Sequence, residues 1–230
     1  MRKNTSAPKG AKTDKVMNTE PTKTEGNLNP TDYVIVIGRE FGSGGRRIGK
    51  LLSNRLGCSY FDKELLAEAA KSMGFTEEIF NEHDEKKPSF FNSFFQGVYG
   101  ITQNYHDITI GGAALYKEQS VAIKKLSEQG PCVIVGRTAD YVLRDHPRML
   151  SVFLHSPIEH RAARIVERGD AESLSKAEEM ARRHDRDRES YYNYYTGRKW
   201  GRANNYHLSL DASRLDDEEI ADIIIRSLRK

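Results

Sequence analysis

Two hydrophobic periods alternate along the chain from residue 33 onward. Tyr33-Val34-Ile35-Val36-Ile37 is an unbroken apolar run, the pattern of a strand covered on both faces. Ile48, Leu51, Leu52 and Leu56 follow at i, i+3, i+4 and i+8, the stripe of an amphipathic helix, with Gly57 as its stop. Residues 58–61 are a second short strand ending at Asp62. Leu65, Leu66, Ala69 and Ala70 mark one face of a helix that stops near Gly74. Leu115, Ala122, Ile123 and Leu126 mark another, which ends at Gly130-Pro131. Residues 132–135 are an apolar strand leading into Gly136-Arg137, and residues 150–154 are the next strand. Pro157 begins a helix in its first turn, where a missing N–H costs nothing. Ser175 and Glu178 have the spacing of a capping box for a further helix. Residues 207–210 form the last strand, and Ile220, Ile223, Ile224 and Leu228 form the inner stripe of the terminal helix.

Strands that alternate with helices predict an α/β fold: a mostly parallel sheet with helices on both faces, three layers in all. Ligands of such sheets bind at the carboxyl ends of the strands. Three polar groups are expected there: the glycine-rich segment after the first strand, Asp62 after the second, and Gly136-Arg137 after the third. Residues 75–112 break the periodicity and are long for a structureless loop, so they read as an insertion or an acceptor lobe.

Composition narrows the picture. Residues 1–32 are rich in Lys, Thr, Asn and Pro and poor in large apolar side chains; they read as a disordered tail preceding a domain of residues 33–230. The tail has no apolar segment of the kind a secretory signal carries, and Met17 is an alternative start. No apolar run approaches the roughly 18 residues of a membrane span. The two cysteines, Cys58 and Cys132, fall in expected core strands, which favours a reducing, cytoplasmic setting over a disulfide framework. A net charge of +3 does not demand a nucleic-acid partner.

Residues 38–49 read GREFGSGGRRIG between the first strand and the first helix. Glycines let a backbone turn tightly and aim N–H groups at one anion, and the helix start adds its positive dipole end. Gly42, Ser43, Gly44, Gly45, Arg46 and Arg47 are therefore the candidate cradle for phosphates. The letters depart from G-x-x-x-x-G-K-[ST]. With Gly42 and Gly44 held in register, Gly45 takes the lysine position and Arg46 the Ser/Thr position. With the helix start held instead, Gly45-Arg46 stands for Gly-Lys and Arg47 for Ser/Thr. Neither register supplies the hydroxyl that usually holds magnesium.

The combination of GREFGSGGRRIG, CSYFDKELL at 58–66, CVIVGR at 132–137 and VFLHSPIEHRAARI at 152–165 resembles the cytidylate kinase-like branch of the P-loop nucleotide kinases, from about residue 33 to the C-terminus. The resemblance implies a P-loop kinase-like sheet, ATP as phosphate donor with Mg2+, and a nucleoside monophosphate acceptor, CMP first. In that family a strand ending in Asp follows the P-loop helix, a Gly-Arg-Asp triplet ends a later strand, and an arginine-rich lid covers the phosphates. Asp62, Gly136-Arg137 and the arginines between 161 and 188 occupy the matching places, with residues 160–202 as the lid region. This chain departs at the loop lysine and at Thr138, which replaces the acidic member of the triplet.

Phosphoryl transfer depends on positioning anionic oxygens and neutralising their charge. Arg161, Arg164 and Arg168 share one helical face, and Arg182, Arg183 and Arg186 lie within about one turn. Guanidinium groups hold phosphate bidentately. Arg164, Arg183 and Arg186 are thus the candidate catalytic cations, Arg137 the acceptor's phosphate ligand, and Asp62 an acceptor-orienting, proton-accepting or water-mediated magnesium group; helix capping competes for Asp62. No histidine or cysteine spacing indicates a protein-bound metal site. Tyr191-Tyr192-Asn193-Tyr194-Tyr195, followed by Gly197-Arg198-Lys199-Trp200-Gly201-Arg202, suits either packing onto the Phe- and Tyr-rich segment 90–105 or stacking on bases. A catalytically degenerate nucleotide binder and a single-stranded RNA-binding protein on the same scaffold are the rival readings.

Overall fold

The structure is a computed structural model that describes residues 33–62 and 111–228. The expected tail 1–32, the helix through Leu65 and Ala70, and residues 75–110 of the expected insertion lie outside the described residues. The described elements are β1 (Val34–Arg39), α1 (Gly45–Leu56), β2 (Ser59–Phe61), α2 (Gly111–Glu128), β3 (Cys132–Val135), α3 (Ala139–Val142), β4 (Met149–His155), α4 (Ile158–Glu167), α5 (Leu174–Thr196), β5 (Leu208–Asp211) and α6 (Asp217–Ser227). The strands form one five-stranded sheet in the order β2-β3-β1-β4-β5. Every neighbouring pair is parallel.

Strand periodicity sorts the core into two layers. Ile35, Ile37, Val133, Val135, Val152 and Leu154 face α1 and α6, where Ile48, Leu52, Ile220 and Ile224 are buried. Val34, Val36, Cys132 and Ile134 face the other way, onto Ile123 and Leu126 of α2 and onto Ala139 and Val142 of α3. Alternate residues of one strand thus serve opposite layers, which is why the strands read as continuous apolar runs. Because α1 lies on one face and α3 on the other, the chain leaves the neighbouring strands β1 and β3 in opposite directions. That divergence opens a crevice at their carboxyl ends.

Several boundaries differ from expectation. β1 continues past Ile37 through Gly38 and Arg39, because β4 runs to His155 and pairs with both. Gly38 is therefore a strand residue, and a Cβ there would lie 2.9 Å from Cδ2 of Phe153. β5 begins at Leu208, since His207 turns its Nδ1 to accept the Ser151 N–H at 3.0 Å. Pro157 takes the N-cap position just ahead of α4. The cap of α5 is Ser173, whose Oγ accepts the Lys176 N–H at 3.3 Å, so Ser175 and Glu178 lie inside the helix; Glu178 instead faces Arg182. A capping box does occur, at Asp216 and Glu219 of α6.

α4 and α5 pack on each other and on the glycine loop. Ala162, Ile165, Ala177 and Ala181 form a small core against Phe41. Arg161 ties this hairpin to the loop, donating from Nε to Ser156 O at 2.9 Å and from Nη1 to Phe41 O at 3.2 Å. Its Nη1 also pairs with Asp185 of α5, and its Nε lies 3.4 Å from Glu40. Asp185 in turn accepts the Phe41 N–H at 2.7 Å. Periodicity groups Arg161 with Arg164 and Arg168 as a phosphate-binding face, but its side chain is 9% exposed and these pairs occupy it.

Two stability outcomes follow from these contacts. A Cβ at Gly49 would lie 2.9 Å from Val135 Cγ2 and 3.0 Å from Tyr60 Cε2, so Gly49→Val overpacks the α1–sheet contact. It should lower unfolding stability by about 1–3 kcal/mol in urea titration, and Val135→Ala in the same chain should recover part of the loss; no loss would show that α1 is free to shift. Arg161→Ala removes a nearly buried partner of Asp185 and should cost about 3 kcal/mol, with faster hydrogen exchange at the Phe41 amide. Unchanged stability and exchange would mean that α4 does not tether the loop.

Candidate functional site

Gly42 and Gly44 have φ of 85° and 93°, the left-handed region that glycine enters without penalty. A Cβ at Gly42 would also meet Arg161 O at 2.9 Å. Ser43 braces the turn, its hydroxyl donating to Glu40 O at 2.9 Å. The N-terminus of α1 then has no side-chain cap and no acidic residue in its first turn. Its orphan N–H groups and positive dipole end, with no carboxylate in that turn, form the arrangement that receives an anion.

The expected loop residues separate. Arg46 lies on the crevice side, with Nε 3.6 Å from Asp62. Asp62 is nearly buried and accepts the Tyr60 hydroxyl at 3.3 Å. Arg47 pairs with Asp217 of α6, its Nη2 donating at 2.9 Å, and the same Nη2 lies 4.0 Å from where a Cβ on Gly44 would be. Successive helix residues are rotated by about 100°, which separates the partner of Arg47 from that of Arg46.

After β3 the backbone takes three left-handed residues in succession: Gly136 at φ 86°, Arg137 at 60° and Thr138 at 54°. The last two are costly for non-glycine residues, by about 1–3 kcal/mol each, and such strain concentrates at functional sites. The Thr138 hydroxyl donates to Arg137 O at 2.6 Å, and the Ala139 N–H closes the turn on Gly136 O at 3.2 Å. This turn sets Arg137 at the crevice in contact with Tyr191 of α5. Burial, the largest effect, raises the Tyr191 phenol above its usual range against the pull of the Arg137 charge.

Two arginines not singled out by pattern complete the group. Arg188 of α5 donates from Nη1 to Arg39 O at 3.3 Å, stands 3.5 Å from Asp185 and lies over the Phe41 ring at 5.4 Å. Burial pushes its pKa down to about 10; Asp185 opposes the shift, while Arg46, Arg137 and Arg161 reinforce it. Arg39, at the end of β1, is half-buried. Burial lowers its pKa well below the ordinary value, followed by the charges of Arg188, Arg137 and Arg46. Arg188 bonds the Arg39 carbonyl, the Arg39 guanidinium lies against Gly136, and Arg46 and Arg137 are near enough to act on both, so the four arginines converge at the carboxyl edge of β1 and β3.

The structure divides the expected lid arginines. The face of α5 turned to the loop carries Ala177, Ala181, His184, Asp185, Arg188 and Tyr192. Arg183 and Arg186 lie on the exposed side, so they are not brought to the crevice as expected; Arg182 is exposed and faces Glu178. Residue 188 continues the i, i+3, i+4, i+7 stripe from 181, a signal readable in the sequence once that stripe is chosen. Arg164 does reach the loop, but its guanidinium donates to Ser43 O at 3.2 Å and Ala212 O at 2.9 Å. It fixes loop position rather than presenting itself to the crevice.

The tyrosine run packs on α2. Tyr195 stacks on Tyr116 at 4.2 Å between ring centroids, and Tyr191 meets both rings, its hydroxyl donating to Gln119 at 3.1 Å. Tyr192 is buried and donates to Asp140 at 2.7 Å, whereas Tyr194 is 66% exposed. Trp200 sets its edge against Phe153 at 5.3 Å. The expected partner segment 90–105 lies outside the described residues. Among the described residues no three His, Cys, Asp or Glu side chains gather as a metal site, and no helix is long and apolar enough to cross a membrane.

This geometry has relatives. The crystal structure of an uncharacterized protein from Eubacterium ventriosum ATCC 27560 is similar at 27% identity and TM-score 0.64, over 85% of this chain and 98% of that one. TT1252 from Thermus thermophilus is similar at 16% identity and TM-score 0.51, over 87% of this chain and 100% of that one. A gluconokinase from Sinorhizobium meliloti has TM-score 0.48 at 16% identity, over 86% and 92% of the two chains. No curated protein matches the chain. The cytidylate kinase-like family profile matches residues 34–214, so the sheet, the glycine loop, the crevice arginines and the α4–α5 hairpin all fall within the matched span. The chain therefore belongs to the cytidylate kinase-like family.

Proposed function

We propose that this protein transfers the γ-phosphoryl group of ATP to the phosphate of a nucleoside monophosphate, CMP first among acceptors. The observation that carries the reading is the uncapped N-terminus of α1 opening into a crevice that holds Arg46, Arg137 and Arg188. Family membership supports CMP as the first acceptor. An acceptor phosphate oxygen bonds to the γ-phosphorus as the bond to the β–γ bridging oxygen breaks, and that oxygen departs on ADP.

The backbone N–H groups at the start of α1 receive donor phosphates. Arg188 reaches the same region from α5, and its forked donors match the equatorial oxygens that gain charge in the transition state. Arg137 holds the acceptor phosphate from the strained turn after β3, steadied by Tyr191. Asp62 stands beside Arg46 at the end of β2, where a carboxylate orients an acceptor. Asp62 is the carboxylate that would hold a Mg2+ bound to ATP, which would screen phosphate charge; one carboxylate plus substrate oxygens is a normal ligand set for that ion.

A catalytically degenerate nucleotide binder is the second reading, favoured by the absent loop lysine and hydroxyl at Gly45, Arg46 and Arg47. Single-strand RNA binding has less support, because Tyr191, Tyr192 and Tyr195 are engaged in packing.

ADP release measured over a panel of nucleoside monophosphates tests the reading, and CMP should give the highest kcat/KM. No ATP-dependent turnover with any acceptor, alongside intact ATP binding, would select the degenerate binder. Arg137→Ala should raise the acceptor KM by about tenfold or more, the loss of a charge-assisted bond, while the KM for ATP stays near wild type. For the hairpin, Arg188→Ala should lower kcat by about 10³-fold or more, and Arg183→Ala and Arg186→Ala should keep near wild-type turnover. The reverse ranking would return the catalytic role to the outer face of α5.

A further inference from the structure

The glycine loop has no lysine, yet the space beside the first residue of α1 is filled. A Cβ built on Gly45 would lie 2.8 Å from Cγ and 3.0 Å from Cβ of Arg39. The stem of Arg39 therefore runs where the first atoms of any side chain at position 45 would go. With Gly42 and Gly44 in register, position 45 is the lysine position. The stem leads the guanidinium onto Gly136, where a Cβ would lie 1.9 Å from Nη1 and 2.9 Å from Cζ. Two glycines, one opening α1 and one following β3, form the walls of a channel that this side chain occupies.

The electrostatics of the channel point to a ligand. The charged neighbours that act on Arg39 are Arg188, Arg137 and Arg46. Among the described residues no carboxylate pairs with it, whereas Arg46 has Asp62 and Arg188 has Asp185. A half-buried guanidinium among like charges destabilises the empty protein, and a polyanion in the crevice relieves that cost. Arg39 also sits at the carboxyl end of the central strand, directly before the turn that presents the α1 N–H groups.

We propose that Arg39 supplies, from the end of β1, the cation that a P-loop ordinarily draws from its lysine, and that its guanidinium grips the terminal phosphates of the nucleoside triphosphate. The inference rests on the ATP-dependent reading above. It assigns the role to a residue before the glycine loop rather than to Arg46 or Arg47 after it. It also explains glycine at 45, which needs no left-handed φ: a side chain there and Arg39 exclude each other.

The test compares wild type, Arg39→Met and the double variant Arg39→Gly with Gly45→Lys, all in the full chain. Calorimetric ATP affinity, kcat and the thermal midpoint are measured for each. Methionine keeps most of the stem and removes the charge. Arg39→Met should bind ATP about 10–100-fold more weakly, as loss of a charge-assisted contact predicts, with a thermal midpoint equal to or above wild type. The double variant returns a cation to position 45 after the obstruction is gone, and should recover most of the ATP affinity. ATP affinity and kcat in Arg39→Met equal to wild type would overturn this inference and leave the kinase reading standing. A lowered midpoint together with no recovery in the double variant would overturn it too, by making Arg39 structural. Failure of the wild type to bind ATP would overturn both.

Discussion

One carboxylate organises the site. Asp185 accepts the Phe41 N–H of the glycine loop at 2.7 Å, pairs with Arg161 of α4 and stands 3.5 Å from Arg188. It thereby joins the loop, the hairpin and a crevice arginine at a nearly buried position. Charges in such a position are favourable only while fully paired, and removing one partner leaves the rest uncompensated. The loop conformation, the docking of α5 and the direction of Arg188 therefore stand or fall together. Phe41 adds a stacked contact with His184 at 4.4 Å, so the same junction is closed by both charge and apolar area.

Beyond that junction the crevice concentrates positive charge. Like charges about 4 Å apart repel by roughly 4 kcal/mol at an effective dielectric of 20. A protein holds such a group together only by covalent geometry and by carboxylates at its margin, here Asp62 and Asp185. The left-handed turn at Arg137 and Thr138 is a second stored cost at the same place. Repulsion and backbone strain both weigh on the unliganded state, and a phosphate-bearing substrate offsets the first. The arrangement is consistent with a site selected for anion capture rather than for stability.

Much of the fold was legible in the chain. The run 132–135 is β3 residue for residue, the stripe Ile48 to Leu56 lies within α1, and Gly57 ends that helix in the left-handed conformation. These features are local: burial on two faces requires continuous apolar letters, and a helix against a sheet requires a 3.6-residue stripe. Boundaries that depend on a neighbour were not legible. Gly38 and Arg39 look like turn residues but are drawn into β1 because β4 is long enough to pair with them. Ser175-x-x-Glu178 has the letters of a capping box, yet Ser173 starts the helix two residues earlier.

The candidate site divides along the same line. The chain by itself determined the strand–glycine turn–helix unit, the polar groups at the ends of three strands and the abundance of arginine, because these are properties of local order and composition. Only the tertiary structure decided where each arginine goes. Arg164 and Arg188 look alike as letters, but one guanidinium bonds Ser43 O and Ala212 O, and the other bonds Arg39 O at the end of β1 beside Asp185. Arg46 and Arg47 are neighbours in the chain, yet helix rotation sends one to Asp62 and the other to Asp217. A guanidinium sits at the end of a long flexible stem, so its destination depends on the acids, carbonyls and glycine-walled spaces that distant segments bring within reach.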